Sequence, residues 1–284
     1  MSKGQCLCGE VQWQLSAEPY EIFNCHCRMC QKAHGAAFGT YAFVKASQLE
    51  WTSTTKNIVH YQSSEKLTRS SCSTCGSVVP YSTSEPDIWV VPAGNHDHMR
   101  KPDYNIFITD SAPWHTLNTS APGCDTYPED SDLKVVAGLP PVEEYNLPDT
   151  PLTGSCLCKA ITFEISAPLK LARNCHCSRC RRGRSSAHAC NGFASFDAVT
   201  FLSGEQLLKS YKVPDARFFT QVFCKNCSSL MPRKDPERGI GIVPLGALDT
   251  DPNIKTGDHI FVGDKASWYD VTDDLPQFTQ GPPA

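Results

Sequence analysis

Three cysteines fall within six residues at Cys25-His26-Cys27-Arg28-Met29-Cys30, and the arrangement returns 150 residues later as Cys175-His176-Cys177-Ser178-Arg179-Cys180. A chain that carries this run twice has to fold so that each trio of thiols converges. We read each trio as three thiolates on one metal ion, with a fourth position left open. The surroundings repeat as well. Cys6-Leu7-Cys8 is matched by Cys156-Leu157-Cys158 at the same offset, and Cys72-Ser73-Thr74-Cys75 by Cys224-Lys225-Asn226-Cys227 at an offset of 152. Asn105 to Trp114 is matched by His259 to Trp268 at 154. The widening offset marks small insertions between fixed points. Two units are too few for a solenoid, so the expectation is an internal duplication packed as a pair of similar domains.

Sixteen cysteines in 284 residues invite either a disulfide or a metal reading. A chain of this length buries a core without covalent staples. No apolar stretch follows Met1-Ser2-Lys3 to mark a secretory signal, and tight Cys-x-Cys and Cys-x-x-Cys pairs dominate. Both points favour metal over disulfides and a cytoplasmic setting, with the nucleus left open. The sequons at Asn118 and Asn226 then carry no meaning. A net charge of −4 argues against a general nucleic-acid partner. No run of 18 apolar residues suggests a membrane span. The oligomeric state is not fixed by the sequence.

Residues 1–128 are expected to form the first domain and 151–284 the second. Between them, 129–150 is acidic and proline-rich, with Glu129-Asp130-Ser131-Asp132, Leu139-Pro140-Pro141 and Leu147-Pro148-Asp149. It reads as a semi-extended linker laid over the surface. Val11 to Leu15 and Ile161 to Ile165 alternate apolar and polar residues, the mark of half-buried strands. Phe38 to Val44, Ile58 to Tyr61, Ser77 to Tyr81 and Ile88 to Val91 read as further strands, and Ile106-Phe107-Ile108 with Trp114 closes the unit. Helical signals are weak, and the best candidates are single turns after Cys30 and Cys180. The fold class is mostly β.

Each half repeats seven cysteines, which split naturally as four and three. Cys6, Cys8, Cys72 and Cys75 would close one structural zinc site, and Cys156, Cys158, Cys224 and Cys227 another. Cys25, Cys27, Cys30 and Cys175, Cys177, Cys180 would each hold a zinc ion with an open position, giving two ions per domain and up to four per chain. Three thiolates make a soft, electron-rich site that favours a fourth thiolate from outside over activated water. A structural site closed by a histidine or another cysteine is the competing reading. His26 and His176, lying between ligands, are expected to point away from the metal. Cys190 has no counterpart in the first half, where Thr40 stands, and reads as a buried free thiol or as the closing ligand of the second open site. Cys124 reads as a bystander. Arg179, Arg181, Arg182 and Arg184 form either a cradle for an anionic substrate or a solvated face. The first half offers Arg28, Lys32 and His34 there.

Taken together, Gly-x-Cys-x-Cys, Cys-His-Cys-x-x-Cys, Cys-x-x-Cys and an Ile-Phe…Trp close resemble the glutathione-dependent formaldehyde-activating enzyme family, also called the centromere protein V/GFA domain. The resemblance covers nearly the whole chain as two tandem copies. It implies a β-tent fold of small antiparallel sheets around zinc, with one structural four-cysteine ion and one catalytic three-cysteine ion per copy. It also implies S-(hydroxymethyl)glutathione synthesis, a carbon–sulfur lyase activity. The copies depart from the pattern. Ala33-His34-Gly35 stands against Gly183-Arg184-Ser185, Gly76 against Ser228, Asn105 against His259, and Asn95-His96-Asp97 against Ala247-Leu248-Asp249.

The expected function is therefore a zinc-dependent carbon–sulfur lyase-type enzyme on a thiol or thiol adduct such as glutathione, with Cys25, Cys27, Cys30, Cys175, Cys177 and Cys180 at the reacting centres. Two alternatives stay open. One is a non-catalytic zinc module that binds a protein or chromatin. The other is the same fold recruited to another reaction on a specialised metabolite.

Overall fold

The computed structural model describes residues 2–83, 85, 87–129, 131, 135–144 and 150–282. Strands dominate, and each half builds the same sheets in the same order. Ser2–Gln5, Gln12–Leu15 and Leu49–Trp51 make a three-stranded antiparallel sheet, repeated by Leu152–Ser155, Thr162–Ile165 and Val199–Ser203. The alternation read from the sequence sets its two faces. Trp13 and Leu15 are buried while Gln12 is exposed, and Phe163 and Ile165 repeat the pattern.

A six-stranded sheet follows in each half. Its middle is Glu21–Cys25 against Gly39–Lys45 against Ile88–Pro92, repeated by Leu171–Cys175, Ala189–Ser195 and Ile240–Pro244. The smaller sheets are antiparallel as expected. The six-stranded sheets are mixed, because Tyr104–Ile106 lies parallel to Glu21–Cys25, and His259–Ile260 parallel to Leu171–Cys175. A third sheet is Ile58–Ser64, Leu67–Cys72 and Val78–Val79; its counterpart is the hairpin Leu208–Lys212 and Thr220–Cys224.

The helical turns expected after Cys30 and Cys180 are longer and begin earlier. Helix α1 is Arg28–His34 and helix α2 is Ser178–Arg184, so the third cysteine of each trio sits inside the helix. Both end on a residue in the left-handed region, Gly35 at φ 56° and Ser185 at φ 53°. After the strand Tyr104–Ile106, Phe107 turns the chain with φ 56° into the short 3₁₀ turn Ile108–Asp110.

The halves are packed reciprocally. Helix α1 packs on the 3₁₀ turn Leu245–Ala247 of the second half, and α2 on Ala93–Asn95 of the first. A Cβ on Gly94 would lie 2.2 Å from the Ser186 nitrogen, and one on Gly246 would lie 2.3 Å from the Gln31 carbonyl oxygen. Glycine is what permits these approaches. Lys32 crosses to Asp249 at 2.8 Å and donates to the Ser155 and Ala247 carbonyls. Arg181 crosses the other way, to the Gly94 and His96 carbonyls and to Asp97. One apolar core runs through both halves, from Phe38 and Trp114 to Phe163 and Trp268.

Within the expected linker, Asp130, Asp132 and Leu147-Pro148-Asp149 lie outside the described residues. Glu143 bridges to Thr250 of the second half, and Val135, Val136, Leu139 and Pro140 line a cavity of the first.

Candidate metal centres and their cavities

The sequence brings seven thiols of each half into two groups. Cys6 and Cys8 lie in the turn between the first two strands, and Cys72 and Cys75 flank the turn after Leu67–Cys72. The four Sγ atoms lie within 4.8 Å of one another, as do those of Cys156, Cys158, Cys224 and Cys227. Neighbouring sulfurs such as Cys6 and Cys8 are 3.4 Å apart, far beyond a disulfide bond, and all 16 cysteines are free. Backbone N–H groups aim at these sulfurs: Val11 at Cys6 (3.4 Å), Ile161 at Cys156 (3.3 Å) and Asn226 at Cys224 (3.4 Å). Such donors favour thiolates over thiols. Among the four sulfurs, mutual hydrogen bonding holds the Cys72 thiol down and pushes the Cys6 thiol up, so the cluster shares protons that a bound ion would displace. Four clustered sulfurs with N–H donors and little exposure fit a tetrahedral thiolate-bound ion.

The trios converge in the same way. Cys25, Cys27 and Cys30 lie within 4.8 Å of one another, as do Cys175, Cys177 and Cys180. Each starts at the end of a strand and finishes in the helix that follows. The Cys177 Sγ caps α2 by accepting from the Cys180 N–H at 3.3 Å, and hydrogen bonds from Cys175 and Cys180 pull its thiol down to about 3. Each trio opens onto a cavity, of about 730 Å³ in the first half and 670 Å³ in the second, whereas neither quartet lines either.

The family model for the glutathione-dependent formaldehyde-activating enzyme matches residues 1–110 and again 151–264. The chain belongs to this family. It carries the family unit twice, and each matched segment contains one quartet and one trio. No curated protein matches the chain. A crystal structure of a Rhodobacter sphaeroides protein, a structural-genomics target, is similar at 20% identity over 43% of this chain and 99% of its own, with a TM-score of 0.28.

The two copies of the family unit differ at matched positions around their trios. In the first, His34 Nδ1–H donates to the Arg184 carbonyl at 2.6 Å, so Nε2 accepts from the Tyr41 hydroxyl at 2.6 Å. Burial lowers this imidazole to about 4, so it is neutral. Arg69 donates to the Tyr41 oxygen at 2.8 Å and to the Cys30 Sγ at 3.4 Å. The equivalents of His34, Tyr41 and Arg69 in the second copy are Arg184, Asn191 and Gln221, and all three line its cavity. Arg184 donates to Asn191 Oδ1 at 2.8 Å, in the place of the His34–Tyr41 pair, and burial lowers its guanidinium to about 10. Tyr81 in the first cavity is matched by Arg233 in the second.

The wall charges follow. Arg179, Arg184, Arg217, Arg233 and Arg238 face the second cavity with Asp264; Arg179 pairs with Asp215, Arg217 with Glu237, and Arg233 and Arg238 with Asp235, so Arg184 alone of the five has no carboxylate partner among the described residues. Lys66 and Arg69 face the first with Glu85, Asp110 and Asp125, beside Phe23, Phe43, Phe107 and Tyr127. Of the arginine run noted in the sequence, Arg179 and Arg184 reach the cavity; Arg181 and Arg182 bind Asp97 across the interface. Arg69, Arg217, Arg233 and Arg238 were not picked out by sequence reasoning. The one available signal for Arg69 was its place three residues before Cys72.

His26 and His176 are fully buried and turn to partners rather than to the trios. His26 Nε2 lies 3.2 Å from Asn105 Oδ1, and His176 Nε2 lies 2.7 Å from His259 Nδ1, with Asp273 accepting from His259 Nε2 at 3.1 Å. Cys190 is not grouped with Cys175, Cys177 and Cys180; it groups with His115 and His188. Cys124 is half-buried, in a short edge strand of the first six-stranded sheet. At the knuckle, Ser228 adopts the left-handed conformation of Gly76, φ 58° against 75°. The substitution therefore leaves the turn intact.

Proposed function

We propose that the chain is a zinc-dependent enzyme of carbon–sulfur bond chemistry, acting on small thiols or thiol adducts at the two trios. The observation that carries this is the contrast between the cysteine groups. Both trios open onto cavities of substrate size, and both quartets stand apart from those cavities. Cys6, Cys8, Cys72, Cys75 and Cys156, Cys158, Cys224, Cys227 would hold structural ions. Cys25, Cys27, Cys30 and Cys175, Cys177, Cys180 would hold the working ones, one per domain in units spanning 1–128 and 151–284. Zinc there supplies the Lewis acidity that keeps an incoming thiol as its thiolate.

The walls select the rest of the substrate. In the second cavity Arg184, held by the neutral Asn191, is placed to take a carboxylate, and Arg233 and Arg238, which share Asp235, leave that wall with a net positive charge, which suits an acidic thiol such as glutathione. In the first, Arg69 fixes the Tyr41 hydroxyl beside Cys30, and the aromatic walls suit a thiol adduct with less charge and more apolar surface. Family membership supports the reaction class, with formaldehyde as one electrophile to try.

The test is adduct formation from ¹³C-formaldehyde and glutathione, followed by exchange NMR, in wild type, Cys27→Ser and Cys177→Ser. Turnover should fall at least about 100-fold in Cys177→Ser and persist in Cys27→Ser. Loss only in Cys27→Ser would reverse the substrate assignment. Undiminished turnover in the double variant would leave the trios without a catalytic role.

A further inference from the structure

At the seam between the halves, outside both cavities, lies a third group of metal-ligand side chains. His115 comes from the turn after Trp114 in the first half. His188 and Cys190 come from the start of the second half's strand Ala189–Ser195. One donor atom of each lies within 4.8 Å of the other two, and the Cys190 Sγ is 3.5 Å from His188 Nδ1. All three side chains are buried, Cys190 completely. His115 Nε2 and His188 Nε2 are buried and without any hydrogen-bond partner among the described residues. Buried polar atoms are nearly always satisfied, so two orphaned imidazole nitrogens in one cluster call for a ligand.

The duplication sharpens the point. The positions equivalent to His115, His188 and Cys190 in the other half are Tyr269, Phe38 and Thr40. Phe38 and Tyr269 pack against the histidines, with ring centroids 5.4 Å apart for Phe38–His115 and 5.2 Å for His188–Tyr269. Aromatic packing alone is thus enough to fill one side of this pseudo-symmetric seam. The other side carries two imidazoles and a thiol in the same places. Packing does not demand that donor set, but metal ligation does.

We propose that His115, His188 and Cys190 bind a transition-metal ion of the zinc or copper class, distinct from the four cysteine sites. Two imidazoles and one thiolate are a borderline-soft set that suits these ions. Cys190 now donates its S–H to Asn174 Oδ1 at 3.3 Å; ligation releases that proton to solvent as the ion takes its place. His115, His188 and Cys190 line neither of the two cavities, which suits a structural ion. It joins the two halves, with one ligand from the first and two from the second. The ion is therefore taken up as the halves close on each other, and chelators remove it slowly.

The test is anomalous diffraction from crystals of the full chain grown from protein expressed with zinc and with copper, with data at both absorption edges. The expected result is a peak among His115, His188 and Cys190. The variant His115→Tyr/His188→Phe/Cys190→Thr, which installs the counterpart residues, should lose that peak and one metal equivalent per chain by elemental analysis, whatever the total bound elsewhere. No peak at either edge overturns the proposal even if the variant fails to fold, and so does an equal metal count in a folded variant. Neither readout depends on turnover, so the cysteine sites and this one stand or fall separately.

Discussion

His96 shows how one residue ties the first half to pH. Its Nε2 accepts from the Trp13 indole N–H at 2.8 Å, and its Nδ1 lies 2.8 Å from the Ser2 hydroxyl. Full burial lowers the imidazole to about 3. An unfolded histidine titrates near 6.5, so below that pH the unfolded chain takes up a proton that the folded chain refuses. The stability that His96 contributes is complete above pH 6.5 and is lost as pH falls toward 3. The second half fills the same places with Phe163 and Leu248, without a polar atom. His96→Leu alone should cost about 1–3 kcal/mol, because it strands the indole N–H. Adding Trp13→Phe should recover most of that loss, and calorimetry should show a shallower decline in Tm from pH 6.5 to 5 than in wild type. Superimposable pH profiles would refute the assignment. In the second cavity, Arg233→Tyr installs the first half's residue at the same place. Removing one charge-assisted contact of about 1.5–3 kcal/mol should raise KM for glutathione roughly 10-fold or more with kcat little changed. A pure kcat loss in steady-state assays would instead place Arg233 at the reacting atoms.

At the scale of elements, the quartets would act as clips and the trios would not. Cys6 and Cys8 sit in one hairpin turn and Cys72 and Cys75 about another, so an ion shared by them would tie two sheets that the chain joins only through a long excursion. Zinc binding at such a site is folding free energy. Cys8→Ser should therefore lower the far-UV circular dichroism signal and Tm strongly, while Cys27→Ser, at a cavity wall, should leave both nearly unchanged. Equal destabilisation by the two would end the distinction between closed and open sites. These groupings were legible in the sequence because metal-ligand spacing is local: Cys-x-Cys and Cys-x-x-Cys place two thiols in one turn whatever the fold. The strands about Trp13 and Phe163 were legible because alternation is local too. The helices were misjudged because seven residues around buried cysteines give no 3.6-residue pattern to read. The cavity walls stayed hidden for a different reason. Arg217 and Phe218 lie in the hairpin loop between Leu208–Lys212 and Thr220–Cys224, where the first half has a tighter turn, and Arg233 and Arg238 arrive from another sheet. No short spacing links them to Cys180.

For the whole molecule, duplication was visible as an offset, but what it builds at the seam was not. Each half lends a helix to a turn of the other, so the interface is made twice from the same parts. Its two copies have diverged: Lys32 reaches Asp249 on one side, and Arg181 reaches Asp97 on the other. What has not diverged is the glycine under each helix. Gly94 and Gly246 both face backbone atoms of the opposite half, at 2.2 and 2.3 Å from a would-be Cβ. A side chain tip can rotate away from such a clash, but a helix backbone held by its own hydrogen bonds cannot. Gly246→Ala should therefore cost about 1–3 kcal/mol by forcing α1 off its turn, and Tm should fall by roughly 2–10 °C. Because one core runs through Phe38, Trp114, Phe163 and Trp268, the halves should unfold together. Differential scanning calorimetry of Gly246→Ala should thus show a single peak moved downward as a whole. Two peaks, with only the second-half transition displaced, would mean that the halves fold independently and that the seam is a contact between finished domains.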